Sequence, residues 1–267
     1  MLEALSLDGR VAIVTGGGTG LGRAMVRHLA KAGADVAIAA RRLGPIEEAA
    51  AEVRALGRRA LAIPTDVSDT AQVQSMVETV LKEWGKVDIL INNAGLVGGL
   101  PPKPIWEISD EEWRKGIEIN LSGAFYCSRA VARHMVERGK GVIIIITSGF
   151  GLRGQRDGYI YSVSKGGLLQ LIRTLAMSLG RYGVRTNGIA PGFIPTEGTQ
   201  ATREYMPRPE FIPIGHLGKP DDIGPIAVFL ASDASSYMNG EIIIVDGAGM
   251  AGGYAPTGYA PLIPLEE

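Results

Sequence analysis

A single cysteine, Cys127, occurs in 267 residues, so no disulfide can close within the chain and a reducing compartment fits. It sits inside a helical pattern and reads as a small buried apolar residue, not a nucleophile. Histidine is almost as sparse: His28, His134 and His216 are scattered without ligand-like spacing, which argues against a metal site. Excess charge of either sign is also missing. The formal net charge is −1, so there is no electrostatic footprint for nucleic acid. Long hydrophobic runs are absent too. Val142–Ile146 and Ile242–Val245 are the longest aliphatic stretches, far short of the roughly 20 residues that span a bilayer as a helix. Met1–Arg10 carries Glu3 and Asp8 and lacks the apolar segment of a signal peptide. These absences lead us to expect a cytoplasmic protein with a small-molecule substrate and no membrane partner.

What is present is alternation. Apolar residues make up 46% of the chain, enough for one sizeable core and a single domain over residues 1–267. Short β-branched runs at Val11–Thr15, Val36–Ala40, Ala60–Thr65, Val87–Ile91, Val142–Thr147, Val184–Ala190 and Ile242–Val245 read as strands. Helical patterns separate them at Gly20–Ala32, Ile46–Leu56, Ala71–Trp84, Asp110–Val136, Tyr159–Tyr182 and Asp221–Ala231. Ser109 with Glu112 three residues on forms a capping box at the start of the fourth helix. Such alternation predicts an α/β fold, a doubly wound, Rossmann-like parallel sheet of about seven strands flanked by helices. Two segments break the pattern. Residues 194–219, rich in Pro, Thr and Gly, read as a substrate loop, and residues 248–267 as an irregular C-terminal tail. In that tail Tyr254, Tyr259, Leu262, Ile263 and Leu265 suggest docking on a neighbouring subunit.

Between the first strand and first helix stands Thr15-Gly16-Gly17-Gly18-Thr19-Gly20-Leu21-Gly22. Glycines permit a tight turn and close approach of backbone to a pyrophosphate, while the helix start offers free N–H groups. The spacing is G-x-x-x-G-x-G, unlike the G-x-G-x-x-G of most dinucleotide folds. The second strand ends at Ala40 and is followed by Arg41-Arg42, with Asp35 at its opposite end. Sites for NAD usually place a carboxylate at the position of Ala40, and sites for NADP replace it with arginine for the 2′-phosphate. The pattern points to NADP (NADPH) rather than NAD.

Tyr161 and Lys165 are four residues apart at the start of a long helix and share one face. An ammonium near a phenol favours phenolate, which would lower the tyrosine pKa from about 10 toward neutrality. Ser148 ends the strand before that helix, and Asn92-Asn93-Ala94-Gly95 and Pro191-Gly192 end two others. In open α/β sheets the reactive site lies at the carboxyl edge of the strands, where all of these fall. Asn120 lies mid-helix, where its low propensity needs a reason.

With these motifs in this order, the sequence resembles the short-chain dehydrogenase/reductase family from about Leu7 to Gly249. The Thr15–Gly22 turn, Asp66, Asn92–Gly95, Asn120, Ser148, Tyr161, Lys165, Pro191-Gly192 with Thr196, and Val245-Asp246-Gly247 carry the resemblance. It implies a carbonyl–alcohol oxidoreductase in which Tyr161 exchanges the substrate proton, Ser148 hydrogen-bonds the carbonyl oxygen, and Lys165 binds the nicotinamide ribose. Asn120 would hold a water that relays protons. The cofactor would be held by Gly16, Gly18, Thr19, Gly20, Leu21, Gly22, Arg41, Arg42, Ala94, Gly95, Pro191 and Gly192. Asp66 and Val67 would face the adenine, Asn93 the adenosine-side ribose, and Ile194 and Thr196 the carboxamide. Family members commonly form homotetramers through the two long helices, whose apolar surface here exceeds what one sheet face needs. The chain departs from the family at Thr147, Ala248 and His216, where serine, glycine and arginine are frequent; none is a catalytic position.

Gly149, Phe150, Gln155, Tyr159, Phe193 and parts of Gly198–Phe211 are the expected substrate wall, with Arg156 also able to meet a polar substrate. The residues around Ser148 and Lys165 look like those of gluconate 5-dehydrogenase-like members, which favours a small ketone, polyol or sugar acid. The alternative is a 3-oxoacyl-carrier-protein reductase, for which Arg138, Lys140, Arg181 and Arg185 would supply a basic docking surface. Tyr182 before Gly183, where those reductases usually have a basic residue, weakens it. A non-catalytic dinucleotide-binding protein on the same fold would have no need of Asn120, Ser148, Tyr161 and Lys165 together. The cofactor assignment is directly testable. Arg41→Ala is expected to raise KM for NADPH far more than for NADH in steady-state assays, and equal changes would refute it.

Overall fold

A computed structural model describes residues 3–96, 102–200 and 206–252. Seven parallel strands form one sheet in the order β3-β2-β1-β4-β5-β6-β7. They are β1 (Val11–Thr15), β2 (Asp35–Ala40), β3 (Ala60–Pro64), β4 (Ile89–Asn92), β5 (Gly141–Ile146), β6 (Val184–Pro191) and β7 (Ile242–Val245). The helices are α1 (Gly20–Lys31), α2 (Leu43–Ala55), α3 (Thr70–Trp84), α4 (Asp110–Ile117), α5 (Gly123–Glu137), α6 (Gly149–Leu152), α7 (Tyr159–Leu179) and α8 (Gly224–Ala231). Strand β4 does not continue outward beyond β3. It returns to pair with the other side of β1, Ala12 opposite Ile89, and this reversal opens a crevice above the ends of β1 and β4.

The strands alternate their side chains between two cores. In β5, Val142, Ile144 and Ile146 join Met25 and Leu29 of α1, Ile46 of α2 and Leu230 of α8. Ile143 and Ile145 point the other way, to Met76 of α3, Cys127 and Met135 of α5, and Leu168 and Ile172 of α7. Both faces are covered, which is why β5 is an unbroken aliphatic run. Each such isoleucine contributes roughly 1.5–3 kcal/mol on burial. Cys127 lies in the second core, its thiol pushed up to about 12 by desolvation, in keeping with a packing role.

Local sequence explains the ends. Asp69 caps α3 through the N–H groups of Ala71 and Gln72. The Ser109–Glu112 capping box is formed as expected, with Lys103 Nζ 2.6 Å from the Glu112 carboxylate. Ion pair and cap together hold that carboxyl down at about 2. Asp35, at the far end of β2 from the crevice, is tied to Arg59.

Two expectations are altered. The long helix at 110–136 is interrupted by a π-helical turn, Glu118–Ser122, with Asn120 at its centre. Residues 249–252 form a helical turn, so the tail does not start out irregular, and Ala248 before it adopts a left-handed φ of 70° where the family often has glycine. Tyr254, Tyr259, Leu262, Ile263 and Leu265, together with residues 201–205 of the substrate loop, lie outside the described residues. Among the described residues, no helix is long and apolar enough to cross a membrane and no His, Cys, Asp or Glu cluster suits a metal.

Candidate active site

A cavity of about 300 Å3 occupies the crevice. One wall is the glycine turn. Gly16 leaves β1 with φ +65°, and a Cβ there would lie 2.9 Å from the Ala94 Cα. At Gly22 a Cβ would lie 2.1 Å from the Gly16 carbonyl oxygen, so any side chain would push the turn away from α1. Thr19, the N-cap of α1, makes no side-chain cap, which leaves the first N–H groups of that helix for another acceptor. Bare backbone donors at the start of a twelve-residue helix suit a pyrophosphate, and the residues present fit a dinucleotide. The turn is held to the end of β4. Thr15 Oγ1 accepts the N–H groups of Asn93 and Ala94, and Asn93 Nδ2 donates to the carbonyls of Thr15 and Gly16 at 3.0 and 3.1 Å.

The opposite wall comes from β5 and α7. Ser148 ends β5 in extended conformation and caps α6, accepting the Phe150 N–H at 3.2 Å. Its hydroxyl also hydrogen-bonds the Tyr161 phenol. Lys165 follows one turn along α7, buried, with Nζ donating to the Ile146 carbonyl at 2.9 Å and lying 5.7 Å from the Tyr161 ring centre. Desolvation pushes its ammonium down to about 8, so it stays mostly charged at neutral pH. Tyr161 moves the other way from the expectation set by the spacing. Burial raises its pKa above the ordinary value and the Ser148 hydrogen bond only partly offsets this. The ammonium is directed at a backbone carbonyl and not at the phenol oxygen, so desolvation wins and the phenol is a proton donor at neutral pH.

Asn120 is buried and does not line the cavity. Its Oδ1 accepts the Leu96 N–H at 2.6 Å, and its Nδ2 donates to the Leu96 carbonyl and to Ser164 Oγ, next to Lys165. The side chain thus ties the loop after β4 to the catalytic helix, and π turns frequently occur at such functional positions.

Most of the residues anticipated from sequence converge. Gly16, Thr19, Gly20, Leu21, Gly22, Asn93, Ala94, Gly95, Ser148, Gly149, Phe150, Gln155, Tyr161, Lys165, Pro191, Gly192, Phe193, Ile194 and Thr196 all line the cavity. Gly18 does not; it packs on Pro45 and Ile46 of α2. Arg41, Arg42, Asp66 and Val67 follow β2 and β3 on the same sheet edge, outside the cavity. Asp66 accepts the Ser68 N–H and hydroxyl, and Val67 packs on Gly123. Tyr159 does not reach the cavity: two residues before Tyr161 on α7, and so about 200° around the helix from it, it lines an adjoining recess with Lys103 and Glu112 that Tyr161 also borders. Arg156 is exposed beside Asp157 and also stays outside. Unanticipated wall residues are Pro102, Ile146, Thr147 and Arg153, whereas Gly198, Thr199 and Met206 come from the stretch 198–211 expected to contribute. Position at the carboxyl edge was the available signal for Thr147 and Arg153. Nothing local marks Pro102.

A family profile described as short chain dehydrogenase matches residues 10–207. The chain is 40% identical over 255 residues to a 2-dehydro-3-deoxy-D-gluconate 5-dehydrogenase of Pseudoalteromonas atlantica, covering 94% of this chain and 99% of the relative. The chain belongs to the short-chain dehydrogenase family. It is accordingly an oxidoreductase with a dinucleotide-binding fold. An L-rhamnose 1-dehydrogenase (NAD(P)(+)) of Sphingomonas sp. is 37% identical, with 90% of this dehydrogenase and 96% of the relative covered. Among solved structures, a gluconate 5-dehydrogenase from Burkholderia cenocepacia in complex with NADP and tartrate superposes with a TM-score of 0.86. It shares 34% identity, covering 94% of this dehydrogenase and 98% of that chain.

Tyr161→Phe is expected to abolish turnover while leaving NADPH binding, read by fluorescence, largely intact. A variant retaining substantial activity would remove Tyr161 as the acid.

Proposed function

We propose that this dehydrogenase interconverts a carbonyl and a secondary alcohol on a small ketone, polyol or sugar acid with NADP(H). The convergence of Ser148, Tyr161 and Lys165 on one wall of a cavity whose other wall is the glycine turn carries this reading. When bound, the nicotinamide supplies or accepts the hydride. Tyr161, protonated at neutral pH, gives its proton to the substrate oxygen during reduction and takes it back during oxidation. Ser148 donates to the same oxygen as charge develops there. Lys165 holds the nicotinamide-side ribose, and Asn120, through Leu96 and Ser164, keeps the loop after β4 and α7 in register. Gly198, Thr199 and Met206, from the segment 197–211 expected to close over substrate, line the cavity.

Arg41 and Arg42 are exposed at the end of β2, and no described acidic residue pairs with either, which supports their meeting a 2′-phosphate. The carrier-protein alternative draws less support. Arg138 and Lys140 precede β5 and Arg181 and Arg185 flank the start of β6, so they lie at the amino edge of the sheet, opposite the cavity mouth. Arg138 is bound to Asp88 at 2.9 Å, and Arg185 is turned onto the Leu230 and Ser232 carbonyls. Rates with NADPH and NADH over 5-ketogluconate, acetoacetyl thioesters and simple cyclic and aromatic ketones test the reading. Turnover of 5-ketogluconate or a small ketone well above that of the thioester is expected, and thioester preference would overturn it.

The assembly we infer is a cytoplasmic homotetramer with twofold interfaces. Trp113 of α4, Phe125 of α5 and Val163 and Met177 of α7 expose apolar surface on the outward side of one helical layer, with Met177 84% exposed. Sedimentation is expected to give four times the 28.2 kDa chain mass. A stable monomer would refute the assembly.

A further inference from the structure

Only positive formal charge lines the cavity among the described residues: Lys165 and Arg153 contribute it, and no Asp or Glu is present. The two cations stand in different places. Lys165 is buried under the reacting atoms and committed to the Ile146 carbonyl. Arg153 is exposed and follows α6, its backbone N–H closing that turn on the Gly149 carbonyl at 3.1 Å. Its guanidinium lies over the Phe150 ring, 5.9 Å from the centre, and Phe150 packs edge-on against Phe193 at 5.7 Å. A guanidinium's planar fork of donors matches a carboxylate in shape. Gln155, two residues on, adds an amide to the same wall, suited to hydroxyl groups.

We propose that Arg153 is the specificity-determining residue for substrate charge. It receives a carboxylate at the end of a polyhydroxylated substrate remote from the reacting carbon, so the enzyme prefers oxo and hydroxy acids to neutral sugars and polyols. The inference rests on the carbonyl–alcohol reading above and narrows its substrate to anions. An acidic side chain on this lining would oppose such a ligand, and none is there among the described residues. Neighbouring Arg156 does not share the role, being outside the cavity beside Asp157 at 3.7 Å.

Two pairs of probes differ only in charge: 5-ketogluconate against L-sorbose, which carries CH2OH in place of the carboxylate, and tartrate against threitol. Reduction of the first pair with NADPH is followed kinetically, and binding of the second pair to the NADPH-loaded enzyme by calorimetry. The wild type is expected to favour the acid in both. Arg153→Gln should cut that preference and the tartrate affinity by roughly ten- to a hundredfold, mainly through KM. Arg153→Lys should recover part of it and Arg156→Gln should change neither. NADPH binding by each variant reports an intact fold. An unchanged preference in Arg153→Gln, or equal losses for the charged and neutral members, would overturn the proposal. If neither sugar is reduced but tartrate binding depends on Arg153, the anion site stands and the sugar-acid activity falls. Tartrate binding indifferent to Arg153 overturns the anion site and leaves the activity standing.

Discussion

A continuous line of hydrogen bonds across the reversal between β1 and β4 holds the two halves of the site together. Thr15 and Asn93 lock the glycine turn to the end of β4. Three residues on, Leu96 is clasped through both its N–H and its carbonyl by Asn120, which reaches on to Ser164 beside Lys165. The cofactor turn and the catalytic helix come from opposite ends of the first two-thirds of the chain. Their spacing is set by this line and by the sheet register, Val14 beside Ile91 and Ile91 beside Ile144. Parallel strands bring every element end that matters to one edge, so short links between strand ends suffice to build a site.

Burial then decides the proton chemistry. Lys165 lies on the face of α7 that also buries Leu168, Leu169 and Ile172, and desolvation weakens its hold on its proton. The same enclosure keeps Tyr161 protonated, which fits it as a donor to a carbonyl oxygen. Among the described residues the lining holds two cations, Lys165 beneath the phenol and Arg153 beside the Phe150 ring, and no carboxylate.

Asn120 and Asn93 show why reading residues singly is incomplete. Each resembles a family position with a role toward water or cofactor, yet in the fold their amide groups are engaged with backbone first. In the fold both side chains hold loop backbone in place. Tyr159 makes a similar point. It is two residues from Tyr161 and reads as its neighbour, but helix rotation sends it to a different recess.

The amino-acid sequence by itself determined the strand and helix alternation, the parallel sheet, the glycine turn, the cap at Ser109, and the edge on which Ser148, Tyr161 and Lys165 meet. These depend on local periodicity, on backbone freedom at glycine and on one topological rule, all of which act over a few residues. Only the tertiary structure decided the direction in which the Tyr161 proton affinity moves, the π turn around Asn120, the exclusion of Tyr159, and the entry of Pro102 and Arg153 into the wall. Those outcomes depend on desolvation and on contacts between segments far apart in the chain, and such quantities exist only once the elements have packed.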